Sequence, residues 1–321
     1  MLCYPWILPL RICYQYFDKG VLKMADIKLF NIKGTVKEYQ SSTVTLEKEL
    51  QIVIENNMDT FFGVTFLASE YRTTDGGRMD SIGIDENHCP VIFEYKRSLK
   101  ENVINQGLFY LNWLLDHKDS FKVLVIEKLG LNEASNIDWT MPRLVCVAGD
   151  FTKYDESAIK QMNRNISLIR YKKFGDDLLM FEQVNENIAA AIPDPEVPSV
   201  KAKAAYKSFD EQLENADKAI RILYQDLANY VLSLGDDISE NHLKLYAAFK
   251  KIRNVVTVVA QKKKLVVNLP LDVSTFTFEE GFSRDVSGLG HWGCGAVELH
   301  LQSHAELEKA KPLFDRAYNE N

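Results

Sequence analysis

A chain of 321 residues, 46% hydrophobic and 26% charged, has the length of about two ordinary domains and is too apolar to be disordered throughout. Its 38 basic and 45 acidic residues leave a net charge of −7, which argues against bulk charge-driven binding to nucleic acid or membrane but leaves room for a local basic groove. The five cysteines (Cys3, Cys13, Cys89, Cys146, Cys294) are odd in number and widely spaced with no C-x-x-C, so they read as small buried hydrophobes in a reducing, cytoplasmic setting rather than as a disulfide framework or structural zinc site.

In chain order, residues 1–23 come first. The apolar run Pro5 to Leu10 is too short to span a bilayer, lacks a preceding basic residue, and carries two prolines that spoil a helix. This segment reads as an over-extended, poorly ordered start, with Met24 as the natural beginning; a weak membrane-associating tail is the rival reading. Leu46 to Asn57 has a helical stripe of Leu46, Leu50, Val53 and Ile54. Strands are expected at Gly63–Ser69, at the alternating Arg78–Asp85, and at the β-branched and aromatic Pro90–Lys96, with Asp85-Glu86-Asn87 as a turn. Amphipathic helices follow at Val103–Leu115 and Phe121–Leu129, then a buried strand at Arg143–Ala148 and a helix at Tyr154–Asn163. Ile166–Tyr171 and Leu178–Val184 form a hairpin. This order predicts a mixed sheet flanked by helices, an α/β domain over 24–191.

Three of the nine prolines fall between Pro193 and Pro198, so 192–206 reads as a semi-rigid linker. Beyond it, Phe209–Leu234 predicts one long helix. Strands are expected at Leu245–Phe249, Val255–Ala260, Leu265–Leu269 and Gly295–Leu301, and a closing helix at His304–Tyr318, giving a small α+β domain over 207–321.

The chemistry concentrates in the first domain. Glu94 and Lys96 are two apart on a strand and therefore share a face; Asp80, on the preceding strand, can meet them across an antiparallel hairpin. Two carboxylates offer oxygen ligands to Mg²⁺ or Mn²⁺, and a neighbouring lysine can orient water or stabilise charge on a phosphodiester. Glu49 on the opening helix and Gln106, i, i+4 from Tyr110, are positioned to support such a site. An ordinary ion pair at a solvated strand edge is the bland alternative.

The run Glu49, Arg78-Met79-Asp80, Val91-Ile92-Phe93-Glu94-Tyr95-Lys96 and Gln106-Gly107-Leu108-Phe109-Tyr110 resembles the PD-(D/E)xK nuclease superfamily, most closely its NucS-like endonuclease domains. The resemblance covers about residues 40–130, with the 166–184 hairpin similar to the tail of such domains. It implies a restriction-endonuclease-like fold and metal-dependent cleavage of DNA, with Asp80 and Glu94 on the metal, Lys96 assisting, and Glu49 and Gln106 in support. Methionine, not proline, precedes Asp80.

Asn241 to Leu271 holds Lys244, Lys250, Lys251, Arg253, Lys262, Lys263 and Lys264 and no acidic residue. Of these, Lys250, Lys251, Arg253 and Lys262 to Lys264 are candidates for phosphate contacts, and a solvated turn that protects strand edges is the equal alternative. The Gly288–Gly295 loop with His291 and Trp292 is a candidate lid, base-stacking platform or simple packed tryptophan. His88 and Cys89 lack the ligand count for zinc and receive no role. The C-terminal segment resembles an uncharacterised domain often attached to nuclease-like domains and sometimes labelled a predicted transport protein, a label that no apolar span supports.

Three readings follow. One is a metal-dependent endonuclease whose partner is nucleic acid, DNA in particular, with no membrane and with a homodimer left open. The second is an inactive nuclease fold serving as a nucleic-acid-binding or interaction module. The third is small-molecule binding by the second domain.

Overall fold

The computed structural model describes residues 27–42, 47–96, 103–187, 208–287 and 293–321. The expectations for residues 1–23, the 192–206 linker and the His291-Trp292 loop lie outside these residues.

Two small strands, β1 (Leu29–Asn31) and β2 (Lys37–Tyr39), pair with each other. After β3 (Ser41–Ser42) come α1 (Glu47–Asn56) and α2 (Met58–Phe62), then the antiparallel run β4 (Val64–Arg72), β5 (Arg78–Asp85) and β6 (Pro90–Lys96). Helices α3 (Val103–Asp116), α4 (Lys118–Leu129) and α5 (Leu131–Ser135) carry the chain over to β7 (Arg143–Ala148), which lies parallel to β6. Helix α6 (Lys153–Ile159) leads to β8 (Asn165–Phe174), parallel to β7, and β9 (Leu178–Asn187) folds back on β8. The result is a seven-stranded mixed sheet in the order β3-β8-β7-β6-β5-β4 with β9 on β8, as the alternation of elements predicts. The parallel centre is flanked by helices on both faces, so its strands read as nearly continuous apolar runs. Phe93 and Tyr95 of β6 pack on the α1–α2 side with Leu50, Ile54 and Phe62. Ile92, with Leu144 and Cys146 of β7, packs on the α3 side.

The approach of α3 to the sheet depends on one glycine. A Cβ on Gly107 would stand 2.4 Å from Leu144 Cδ1, and Leu144 is fully buried. Gly107→Ala is therefore expected to destabilise the chain by about 2 kcal/mol through overpacking. Thermal unfolding checks this; an unchanged midpoint would show that α3 can shift outward without penalty.

The second half begins with α7 (Phe209–Glu214) and α8 (Lys218–Leu232), where a single helix is expected. The break spans Asn215 to Asp217, and Asn215 and Asp217 are residue types that favour caps over helix interiors. Asp217 donates its N–H to the Lys262 carbonyl at 2.9 Å, and the turn lets Phe209 pack on Tyr224 and His242. Strands β10 (Ser239–His242), β11 (Ala247–Lys250), β12 (Asn254–Ala260), β13 (Leu265–Leu269), β14 (Ser283–Asp285) and β15 (Val297–Leu301) follow, with a short 3-10 turn at Val273–Thr275, and α9 (His304–Glu320) closes the chain. All pairings in this six-stranded sheet are antiparallel, in the order β10-β11-β12-β13-β15-β14. One face buries Val256, Val258, Val267 and Leu299 with α8 and α9. From the other, Leu243, Tyr246, Ala248, Val259 and Val266 gather around Cys89 of the first half. Among the described residues, no helix is long and apolar enough to cross a membrane.

Candidate metal centre

The β5–β6 ladder pairs Ser81 with Phe93, Ile82 with Ile92, Gly83 with Val91 and Ile84 with Pro90. One rung beyond Ser81, the backbone N–H of Asp80 donates to Glu94 Oε1 at 3.3 Å, and the Tyr95 N–H donates to Asp80 Oδ2 at 3.0 Å. The hairpin thus brings together the two carboxylates expected to meet. Glu94 also aligns with Cys146 on the parallel strand β7, so it stands in the middle of the sheet. Its exposure is 0%, and its Oε2 is buried with no hydrogen-bond partner among the described residues.

Such a carboxylate resists ionising. Burial first, then the charge of Asp80, push Glu94 up to about 9. Burial also raises Asp80, and the charges of Glu70 and Glu47 add to this; the Tyr95 N–H and the Lys96 charge oppose it. Lys96, the last residue of β6 and half-buried, is close enough for its charge to favour ionisation of both acids.

Glu49 does not join this group. It is exposed on α1, two positions and therefore roughly 200° around the helix from Gln51. Leu50 and Ile54 turn into the core, and the polar residues beside them are Glu47, Gln51 and Glu55, spaced i, i+4, i+8. Gln51 is buried and donates to the Asp80 carbonyl at 2.8 Å, to Glu55 Oε1 at 2.8 Å and to Ser69 Oγ at 3.1 Å. Ser81 donates to Glu55 Oε1 at 2.6 Å, and Tyr95 donates its hydroxyl to Ser81 at 3.1 Å. This network holds the strand backbone beneath Asp80. Its signal in the sequence is the i, i+4, i+8 polar spacing beside the apolar stripe, whereas Glu49 lies two positions from Gln51, on the exposed side of the helix.

Gln106 stays near the start of β5. Its amide donates to the Tyr110 hydroxyl at 3.4 Å, and that hydroxyl accepts from the Arg78 N–H at 3.2 Å. Around the acids, Lys48 and Arg78 are exposed and both bind Glu70, at 3.0 and 2.7 Å. Glu70 has a left-handed backbone, φ 52°, uncommon for a residue with a Cβ. Among the described residues, no group of three or more His, Cys, Asp or Glu comes together as a metal cage.

The basic stretch of the second half divides. Lys250 is buried, 4.0 Å from Glu186, and burial with the neighbouring Arg143 lowers its pKa. Arg253 donates to Glu86 at 2.9 Å, and Lys251 donates to the Tyr318 carbonyl at 3.1 Å and lies over its ring. Lys250 and Arg253 are therefore committed to the junction of the two sheets and do not form an outward phosphate surface. Lys262 and Lys263 are exposed, and Lys264 is half-buried, on the β12–β13 turn. Cys89, Cys146 and Cys294 are free and buried.

Residues 209–321 match the family model described as "Domain of unknown function (DUF5655)". An uncharacterized protein of Haemophilus influenzae is 29% identical over 300 residues, covering 91% of this chain and 99% of that relative. The crystal structure of a repair endonuclease from Pyrococcus abyssi overlaps 40% of this chain at 16% identity and a TM-score of 0.24, a likeness too small to bear on function. The chain spans about half the length of that solved chain, 49% of it.

Proposed function

We propose that this protein is a divalent-metal-dependent endonuclease acting on nucleic-acid phosphodiesters, DNA in particular. One observation carries the reading: a fully buried glutamate, with an oxygen that has no hydrogen-bond partner among the described residues, set against an aspartate that is itself raised. A buried acid beside a half-buried one is costly unless protonated or neutralised by a cation. The donor set is all oxygen, which suits Mg²⁺ or Mn²⁺; such ions use one or two carboxylates and fill their remaining positions with water and substrate phosphate. Asp80 and Glu94 would hold the ion, which when bound supplies charge stabilisation at a phosphodiester and a water of lowered pKa.

The remaining roles belong to side chains. Lys96 places a positive charge beside both acids, where it can steady a developing negative charge. Gln51, by holding the Asp80 carbonyl, keeps the aspartate from turning away from Glu94. Lys48 and Arg78, exposed and paired with Glu70, are cations that a phosphate backbone can reach. Gln106 fits a supporting role through Tyr110 at the start of β5. Incubating linear and circular DNA with the full chain and Mn²⁺ or Mg²⁺ tests the assignment. Cleavage by wild type and its loss in Asp80→Asn are expected; equal cleavage by both, or none by either in the presence of metal, would overturn it.

A further inference from the structure

The tip of the hairpin that carries Asp80 and Glu94 is held by the second sheet. Glu86 receives a guanidinium N–H of Arg253 on Oε1 at 2.9 Å and the backbone N–H of Asn254 on Oε2 at 3.1 Å. Its carbonyl accepts from the Cys294 thiol at 3.0 Å. Asn87 Oδ1 accepts from Asn254 Nδ2 and from the Tyr246 hydroxyl, both at 2.8 Å. Asn254, Tyr246 and Cys294 are all buried, so these bonds are shielded from water.

The same anchor reaches α1 and α2. The Glu86 N–H donates to the Gly63 carbonyl at 3.0 Å, and a Cβ on Gly63 would stand 2.5 Å from the Glu86 carboxyl carbon. Gly63 ends α2, which follows α1 and the Gln51 that bonds Asp80. On its outer side β5 has weaker support: β4 is an edge strand, and its register slips between Phe66 and Ala68, opposite Gly83 and Ile82. The β5–β6 ladder, by contrast, runs without a slip from Ser81–Phe93 to Ile84–Pro90. A displacement at the turn is therefore passed along paired backbone to the rung that holds the two acids.

We propose that the domain of residues 209–321 is an intramolecular brace for the β5–β6 hairpin, with Arg253 and Asn254 as positioning residues that act through Glu86 and Asn87 on the spacing of Asp80 and Glu94. The functional consequence rests on the reading of those acids as a metal site; the mechanical one does not. The second sheet then serves the first as part of its frame rather than as a separate module that captures substrate.

The test uses the full chain and residue-resolved hydrogen exchange of the Asp80 and Tyr95 amides, beside Mn²⁺ titration. Arg253→Met is expected to speed exchange of both amides at least tenfold and to weaken Mn²⁺ binding at least fivefold, while the β13 amides stay protected. Arg253→Lys, which keeps the charge, should recover most of both. Glu86→Gln, which preserves shape, replaces Arg253→Met should that variant fail to fold. Exchange that quickens only at residues 85–89 and leaves Asp80 and Tyr95 as in wild type overturns the brace. A wild type that binds no Mn²⁺ but shows the exchange response sinks the metal reading and supports the brace. Mn²⁺ binding that ignores these substitutions, with unchanged exchange, does the reverse.

Discussion

Glu94→Gln is expected to weaken Mn²⁺ binding by roughly 100-fold and to abolish DNA cleavage, because it removes one of the two charged ligands, Asp80 and Glu94, proposed to hold the ion. The same substitution is expected to raise the stability of the metal-free protein at pH 8. Glutamine keeps the size of the side chain and its bond to the Asp80 N–H but removes the need either to bury a charge or to hold a proton. Opposite signs on metal affinity and stability separate a functional acid from a structural one. A glutamate retained for packing and a salt bridge would lose stability on substitution and leave Mn²⁺ affinity untouched. Calorimetric titration with Mn²⁺ and thermal unfolding in chelator measure the two effects, and equal Mn²⁺ binding by wild type and variant would sink the assignment.

The second large effect is a dependence on pH. The unfolded Glu94 has an ordinary carboxylate pKa near 4.5, and the folded one stands at about 9. Between these values the folded chain holds one more proton than the unfolded chain, so stability falls as pH rises through the window. Below the window both states are protonated and above it both are ionised, so the slope vanishes at either end. Each pH unit corresponds to about 1.4 kcal/mol, so metal-free wild type is expected to lose up to about 4 kcal/mol between pH 5 and pH 8 relative to Glu94→Gln. Asp80, also raised, adds in the same direction. Metal must displace the Glu94 proton, so Mn²⁺ affinity should tighten about tenfold per pH unit over the same range. Denaturant unfolding in chelator at pH 5 and pH 8 checks the first expectation. A flat difference between wild type and variant would mean that water reaches Glu94 and leaves it ionised.

The domain family matched by residues 209–321 is described only as of unknown function, and its place here is a junction rather than an appendage. Arg143 and Lys250 lie buried at that junction, each facing an acid, Asp85 at 3.5 Å and Glu186 at 4.0 Å. Removing one member of either pair strands a buried charge, so substitution of Arg143 or Lys250 destabilises the fold itself, and the coupling of the halves is read at Arg253 and Glu86 instead.

Much of the architecture was legible in the chain itself. Short apolar runs, alternating in β5 and nearly continuous in β6, β7, β12 and β13, placed these strands within a residue or so of their observed bounds, because burial on both faces of a sheet leaves a local signature. The mixed sheet followed from the order of elements, and the D…E-x-K spacing put Asp80 and Glu94 on one face because strand side chains alternate. Short elements escaped: α2, α5, β10 and β14 are three to five residues long, too brief for a period to show. The break at Asn215 to Asp217 escaped as well, since the Phe209–Tyr224 contact that favours it is tertiary.

Within the site, the sequence by itself determined which strand residues oppose one another, since that depends on alternation and turn length alone. The tertiary structure decided the rest. It set Gln51 and Glu55, rather than Glu49, against the strand, because which side of a helix faces a sheet is set by how Leu50 and Ile54 pack. It buried Lys250 and turned Arg253 toward Glu86, because a lysine-rich stretch carries no mark of which of its charges a second layer will cover. It gave Glu94 its strongly raised pKa, because desolvation is the work of every neighbour packed around a carboxyl and is written in no single spacing.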